Sequence, residues 1–406
     1  MKFLTLDDVE VSSKTVFVRA DLNCPVEDGV AQLSPRLVEH SKTLFELLKK
    51  GARVVVLAHQ GRKGKSDFIS LSNHAKMLSW QISKLNGGEI MVKFVADVCG
   101  DAAQDAIKSL SEGEVLLLEN VRFVDSETAF EKTRKSEIVG NLSSLCDIFV
   151  LDAFSVAHRA QASVIGFSKC PGVAGRVMEK ELEALSNLEK PKRPAILVLG
   201  GAKPSDSLPI LRDWIKSGKA DLALCGGAMG NLMLLASGLN IGKPSYEFLE
   251  KSGSLESLDS VKKFYLKNKS KLIIPSDVIV DLGKGAKTTL AKDLPSNFPI
   301  LDIGPKTSLQ FCSKIKSSGS IVLNGPMGVY EKEEFSSGTK SVFEAVSSST
   351  AFSLLGGGHT LSALEKFGLT YSKFGYVSLS GKALIEYLSG EKLPGLALLE
   401  KSALSS

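Results

Sequence analysis

The chain has 406 residues, 43% of them hydrophobic and 23% charged, with a net charge of +5. These are the values of a soluble globular protein of about two domains with ample core. The slight basic excess is too small to indicate nucleic acid as a partner, and suits small anionic substrates instead. No apolar run approaches the ~20 residues that span a bilayer, so no membrane partner is expected. The first eight residues turn acidic too soon for a signal peptide, which predicts a cytoplasmic protein. The six cysteines are scattered without a CxxC pair, and Cys99, Cys146, Cys225 and Cys312 lie in or beside apolar stretches. Reduced structural thiols are expected, not a zinc site.

In the first half, apolar runs predict strands at Lys14–Ala20, Arg53–Ala58, Ile90–Val95, Val115–Glu119 and Ile148–Asp152. Helical patterns lie between them, among them Arg36–Lys50 and Leu71–Leu85. This alternation predicts a parallel sheet covered on both faces. The strand tips carry the informative residues. The first offers Asp21 and Asn23, with Arg36 opening the next helix. The second offers His59 and Arg62, the fourth Arg122, and the fifth Asp152, His158 and Arg159. A lone loop arginine is ordinarily a solvated group, and a lone histidine ordinarily a structural one. Asp152 could equally cap a helix. Recurrence at successive tips of one sheet edge favours convergence. Arginine forks suit carboxylate and phosphate oxygens, so the pattern predicts a pocket for a small, multiply charged anion bearing a hydroxyl.

Pro171–Gly175 closes the first half, and a helical pattern over Val177–Leu188 ends at Pro191 and Pro194. This is the expected connection between two α/β halves. In the second half, strands are predicted at Ala195–Leu199, Leu222–Cys225, Leu272–Ile274, Ile321–Leu323 and Ala351–Leu355. Four of their tips are glycine-rich: Gly200-Gly201-Ala202-Lys203, Gly226-Gly227, Asn324-Gly325-Pro326 and Gly356-Gly357-Gly358-His359-Thr360. Glycine lets backbone approach a flat ring or a phosphate, and a following helix presents free amides to an anion. Four such tips favour a nucleotide. Gly283–Thr288 approximates a Walker loop but has Ala286 where glycine is needed, so an exposed loop is expected there. No dinucleotide fingerprint opens a helix, which argues against a nicotinamide-dependent dehydrogenase.

Seven ordered segments carry a resemblance: Val18–Pro25, His59–Arg62, Leu118–Phe123, Asp152–Arg159, Gly200–Lys203, Asn324–Glu331 and Gly356–Thr360. Along nearly its whole length the chain resembles the phosphoglycerate kinase family, with features of its archaeal branch. The resemblance implies two doubly wound parallel-sheet α/β domains joined by a helix. Residues 1–170 would bind 3-phosphoglycerate, 171–190 would connect, 191–392 would bind magnesium-ATP or ADP, and 393–406 would return to the first domain. It implies reversible phosphoryl transfer in a hinge-bending monomer. A catalytically impaired paralogue that still binds one ligand is the alternative.

By that resemblance Asp21, Asn23, Arg36, His59, Arg62, Arg122 and Arg159 would hold 3-phosphoglycerate. Arg36 and Lys203 would be catalytic, with Arg36 reaching the transferred group. Gly201, Ala202, Lys203, Gly226, Gly227, Asn324, Pro326, Val329 and Glu331 would line the nucleotide site, Glu331 at the ribose. Gly357, Gly358, His359 and Thr360 would face the phosphates. The chain departs from the family's usual pattern at three places: Ser207 replaces a lysine, His359 replaces a magnesium-contacting aspartate, and Ser378–Ala383 replaces a glycine loop. Lys382 in that loop either reaches a phosphate in place of the lost lysine or points to solvent.

Overall fold

Two short, steric rules build the molecule. Runs such as Val16–Val18, Val54–Leu57 and Ile196–Leu199 are buried on both faces, as parallel strands between helical layers must be. Polar or glycine-rich segments then interrupt each run at the same end of its sheet. The computed structural model describes residues 2–405. Met1 and Ser406, at the outer limits of the expected first domain and returning tail, lie outside the described residues. The chain divides into two compact units. Unit 1 comprises the segment through Glu183 together with the segment from Lys392, and unit 2 is Ala184–Glu391.

Unit 1 holds a six-stranded parallel sheet: β1 (Thr15–Arg19), β2 (Arg53–Leu57), β3 (Val92–Phe94), β4 (Val115–Leu117), β5 (Ile148–Leu151) and β6 (Gly172–Ala174). Its spatial order is β3-β4-β2-β1-β5-β6. The order reverses between β1 and β5, and such a switch point is where α/β sheets bind ligands. The strand β6 falls in the stretch read from sequence as the start of the connection. Three residues are too few to show strand periodicity. The C-terminal helix Pro394–Ser405 packs on β6, where Gly172 N donates to Ser402 Oγ at 2.6 Å. The helix Pro35–Lys49 starts cleanly because Ser34 Oγ accepts from Leu37 N and Pro35 occupies the first turn. Such a cap contributes about 1 kcal/mol and fixes where Arg36 emerges.

The helix Arg176–Ser186 carries the chain onward. Unit 2 holds a second six-stranded parallel sheet: β7 (Ala195–Leu199), β8 (Leu222–Cys225), β9 (Leu272–Ile273), β13 (Ser320–Asn324), β14 (Phe352–Gly356) and β15 (Tyr376–Val377). Its order is β9-β8-β7-β13-β14-β15, with the switch between β7 and β13. Between β9 and β13 stands a three-stranded antiparallel sheet of β10 (Asp277–Asp281), β11 (Ala286–Leu290) and β12 (Ile300–Ile303). The expectation of a loop over Gly283–Thr288 is therefore corrected. The segment is exposed, but from Ala286 it pairs as a strand, Asp281 facing Ala286. Its polar, glycine-flanked composition hid that pairing. All six cysteines are free thiols.

Candidate functional site

In unit 1 the tips of β1, β2, β4 and β5 converge. Asp21, just past β1, is buried and receives Arg36 Nη1 at 2.8 Å and the Ser155 hydroxyl at 2.5 Å. Burial raises its pKa, but the Arg36 charge, together with His59, the Ser155 hydrogen bond and His40, outweighs burial and holds the carboxyl well below its usual range. Asn23 Oδ1 accepts from Gly61 N at 2.8 Å, tying the first tip to the second. His59 is buried, and its Nδ1 lies 3.0 Å from Arg19 Nη2. A guanidinium only donates, so Nδ1 accepts and the ring proton sits on Nε2. Burial and the Arg19 charge push His59 well below the usual imidazole range, so the ring is neutral.

Arg122 follows β4. Its Nη1 donates to Gly61 O, while Nη2 is buried with no partner among the described residues. An orphaned buried donor costs about 1–3 kcal/mol, which an anion would relieve. Burial, then Arg159, Arg19 and Arg62, bring Arg122 down to about 10. Arg159 is lowered by burial and by Arg62. Four cations thus crowd one region and repel each other.

Sequence reasoning missed the layer beneath. Arg19 is fully buried; its Nε donates to Ser163 Oγ at 2.8 Å, and the Ser163 hydroxyl donates to Glu127 at 2.6 Å. A charged residue inside the apolar run Val16–Ala20 was the available signal. Asp152 and His158 stand at the fifth tip but are used otherwise. Asp152 accepts from His40 Nδ1 and from Val177 N, both at 2.8 Å, so it caps the helix Arg176–Ser186. His158 Nε2 accepts from Arg159 Nε at 3.3 Å.

In unit 2 two adjoining cavities open at the carboxyl ends of the strands. The first, about 240 Å³, is mainly apolar. It is lined by Gly201, Ala202, Gly227, Pro326, Val329, Glu331 and His359 of the expected residues, with Phe248, Pro275, Val278 and Ile300–Ile303. The second, about 550 Å³, is the more polar of the two. It is lined by Gly201, Ala202, Lys203, Asn324, Gly357, Gly358, His359 and Thr360 of the expected residues, with Ser207, Gly381 and Lys382. Gly226 lines neither. It is buried behind the site, where a Cβ would come within 2.6 Å of Met327 Sδ. Of the walls, β10 and β12 went unseen in the sequence because their polar hairpin partner masked them.

Close backbone packing sets this site. Gly201 N donates to Pro326 O at 2.7 Å, and Gly227 N donates to Met327 O at 2.8 Å. Gly227 has φ +53°, and a Cβ there would sit 2.9 Å from Gly201 N, so only glycine fits. Gly357 has φ +94° beside Asn324 Oδ1, and Thr360 Oγ1 accepts from Gly325 N at 2.9 Å. The helices Pro204–Lys216 and Gly358–Lys366 begin at the polar cavity, so free amides and two positive dipole ends face it. Lys203 and His359 are exposed there. Ser207 is buried and accepts from Asn324 Nδ2 at 3.0 Å. Lys382 is 74% exposed and pairs with Glu386 at 3.0 Å.

One doubly wound unit thus carries a cationic pocket, and the other a backbone-lined double cavity. The family described as phosphoglycerate kinase matches residues 6–391. A phosphoglycerate kinase of Methanothermobacter thermautotrophicus is 40% identical, the match covering 99% of this chain and 97% of the relative. One of Methanopyrus kandleri is 38% identical over 97% and 96%. The crystal structure of phosphoglycerate kinase from Pyrococcus horikoshii superposes with a TM-score of 0.86 at 35% identity, covering 99% of this chain and 100% of that one. The chain belongs to the phosphoglycerate kinase family.

Proposed function

We propose that the chain transfers a phosphoryl group reversibly between ATP and 3-phosphoglycerate, giving ADP and 1,3-bisphosphoglycerate. Unit 1 binds the phosphoglycerate and unit 2 the nucleotide. The observation that carries this is the crowd of arginines with an unpartnered Arg122 Nη2, a pocket whose charge balance calls for a multiply charged anion. In this reading Arg62, Arg122 and Arg159 hold the phosphate, neutral His59 donates through Nε2, and Asp21 and Asn23 take the hydroxyl. The apolar cavity holds the base, Glu331 the ribose, and the polar cavity the phosphates.

The substrate carboxylate is already ionised at neutral pH, so its attack on the γ-phosphorus needs no general base. The protein then works by alignment and charge neutralisation. Arg36, released from Asp21, and Lys203 neutralise the transferring group. Phosphoryl transfer also requires the two ligands to be brought into line, the hinge-bending step expected of the family. Among the described residues no three His, Cys, Asp or Glu side chains gather as a metal cage. Magnesium fits nonetheless as a complex with the nucleotide, since it keeps phosphate and water ligands and takes only one or two carboxylates. Asp206, exposed in the more polar cavity at the start of the helix Pro204–Lys216, is a carboxylate available to it. When bound, the ion neutralises phosphate charge. No described helix is long and apolar enough to cross a membrane, and we place the enzyme in the cytoplasm as a monomer.

The test is ATP-dependent turnover of 3-phosphoglycerate by the full chain, coupled to reduction of the acyl phosphate. Turnover abolished by omitting either substrate supports the proposal. Binding of both without turnover would instead identify an impaired paralogue.

A further inference from the structure

At the end of the unit 1 sheet opposite the arginine tips, two thiols meet. Strands β5 and β6 pair in parallel with Phe149 facing Gly172, and Phe149 N donates to Pro171 O at 3.0 Å. Continuing that register backwards puts Asp147 opposite Cys170 and Cys146 one step diagonal. Neighbouring strands then separate the two Cα atoms by roughly 6 Å, inside the range a disulfide spans. The side chains converge rather than diverge. Cys170 Sγ donates to Cys146 O at 3.1 Å and Cys146 Sγ donates to Ile148 O at 3.4 Å.

The two differ in access. Cys146 is buried, whereas Cys170 is half-buried and lines a cavity of about 470 Å³. Lys169 and Lys401 line the same cavity, against the C-terminal helix. The Cys146 thiol alongside holds the Cys170 thiol below its ordinary range, while Cys170 and burial push the Cys146 thiol up. Cys170 is thereby the accessible nucleophile and Cys146 the thiol placed to resolve it. Nothing in the phosphotransfer chemistry uses either.

We propose that Cys146 and Cys170 are a redox modification site, closed to a reversible disulfide by a hydroperoxide. The Cys170 thiolate attacks one peroxide oxygen. The S–O bond forms, the O–O bond breaks, and hydroxide leaves, so sulfur is oxidised by two electrons and the peroxide reduced. Cys146 sulfur then attacks Cys170 sulfur; the S–S bond forms, the S–O bond breaks, and the departing hydroxide takes the Cys146 proton as water. The sum is two thiols and hydrogen peroxide giving one disulfide and two waters. The bond ties off the segment that carries Arg159 and Ser163.

The full chain is treated with stoichiometric hydrogen peroxide, quenched with an alkylating reagent and mapped by peptide mass. The expected product is a Cys146–Cys170 linked peptide, lighter by ~2 Da and reversed by dithiothreitol, formed about tenfold faster than any oxidation of Cys312, the other half-buried thiol. In Cys146→Ser, Cys170 stops as a sulfenic acid trapped by dimedone; in Cys170→Ser, Cys146 stays reduced. Equal oxidation of Cys170 and Cys312, or accumulation of Cys170 sulfinic acid without the linked peptide in the unmutated chain, overturns the proposal. The measurement on the unmutated chain stands even where a variant fails to fold.

Discussion

The two units share one architecture and use its ligand-binding edge in opposite ways. Unit 1 places side chains at its strand tips: Arg36, Arg62, Arg122 and Arg159 around Asp21 and His59. Unit 2 places backbone there: glycine tips locked by the internal hydrogen bonds of Gly201, Gly227 and Gly325, and the free amides that open the helices Pro204–Lys216 and Gly358–Lys366. A small anion has charge on every side and little surface, so long side chains must reach in to it. A nucleotide offers a flat ring and a chain of phosphates, which an apolar slot and helix amides can follow. The contrast teaches that specificity here lies in what terminates each strand, since the strands themselves are interchangeable apolar runs.

The largest expected effect breaks the unit 1 side. Arg36→Ala should lower kcat by about 10²–10³-fold, since a charge contact made only in the transition state is worth ~3–4 kcal/mol. Nucleotide affinity should hold, and Arg36→Lys should recover only part of the rate because the fork is lost. Steady-state kinetics at saturating substrates decides it, and an unchanged kcat would remove Arg36 from the reaction.

Stability against pH should run in opposite directions in the two units. Burial takes His74 down to about 4, with its Nε2 3.1 Å from Gln60 Oε1. The unfolded chain binds that proton from about pH 6.5, so neutral His74 stabilises unit 1 above 6.5 and the contribution is lost as pH falls toward 4, about 3 kcal/mol in all. Burial takes Asp302 up to about 7. Folded Asp302 keeps a proton that the unfolded chain releases near pH 3.8, so its contribution is complete below 3.8 and lost as pH rises through 7. With Trp80→Phe, fluorescence reports buried Trp214 and hence unit 2, whose urea midpoint should fall from about pH 4 to about 7. Exchange protection of the β1 amides, corrected for intrinsic rates, should rise over the same range. A common slope in both units would refute the assignment.

A paired substitution sharpens the contrast further. Arg122→Ala should raise the KM for 3-phosphoglycerate about 10–100-fold and leave that for ATP alone. Gly227→Val, which forces a side chain at φ +53° against Gly201, should do the reverse. Crossed effects would show that the ligands are assigned to the wrong units.

Most of this contrast was legible in the residues. Each sheet strand predicted from an apolar run pairs in its expected parallel sheet, and the tips appear where those runs stop. What stayed hidden shares a physical cause: its signal is not periodic. Strand β6 is buried but has only three residues, too few for a period, and β11 is exposed and lysine-bearing, so it shows no buried face. The apolar wall from Val278 and Ile300–Ile303 depends on that hairpin and was lost with it. Arg19 and Glu127 act through contacts far apart in sequence, which no local pattern encodes. Asp152 looked like a site residue, yet its carboxylate joins His40 to a helix start.

The smallest effect concerns Lys382, and it tests whether unit 2 relies on side-chain charge at all. A lysine at position 207 in its place is not a simple exchange, because Ser207 is buried against Asn324. Lys382 lines the polar cavity but already pairs with Glu386, which is mostly buried at 18% side-chain exposure. A pair of this spacing on a helix, with its ammonium open to solvent, contributes only about 0.3–0.5 kcal/mol, so a bound phosphate competes for the ammonium at little cost. Lys382→Ala removes one positive charge and leaves Glu386 facing the cavity, so the KM for ATP should rise about two- to fivefold with kcat within about twofold. Glu386→Gln removes the competitor and should lower that KM by a similar factor. Both shifts should shrink as salt rises, since the Lys382 ammonium is open to solvent. If neither variant moves the KM, the backbone amides alone hold the phosphates. If Lys382→Ala instead collapses kcat as far as Arg36→Ala does, unit 2 also works by side-chain charge, and the division between the two units fails.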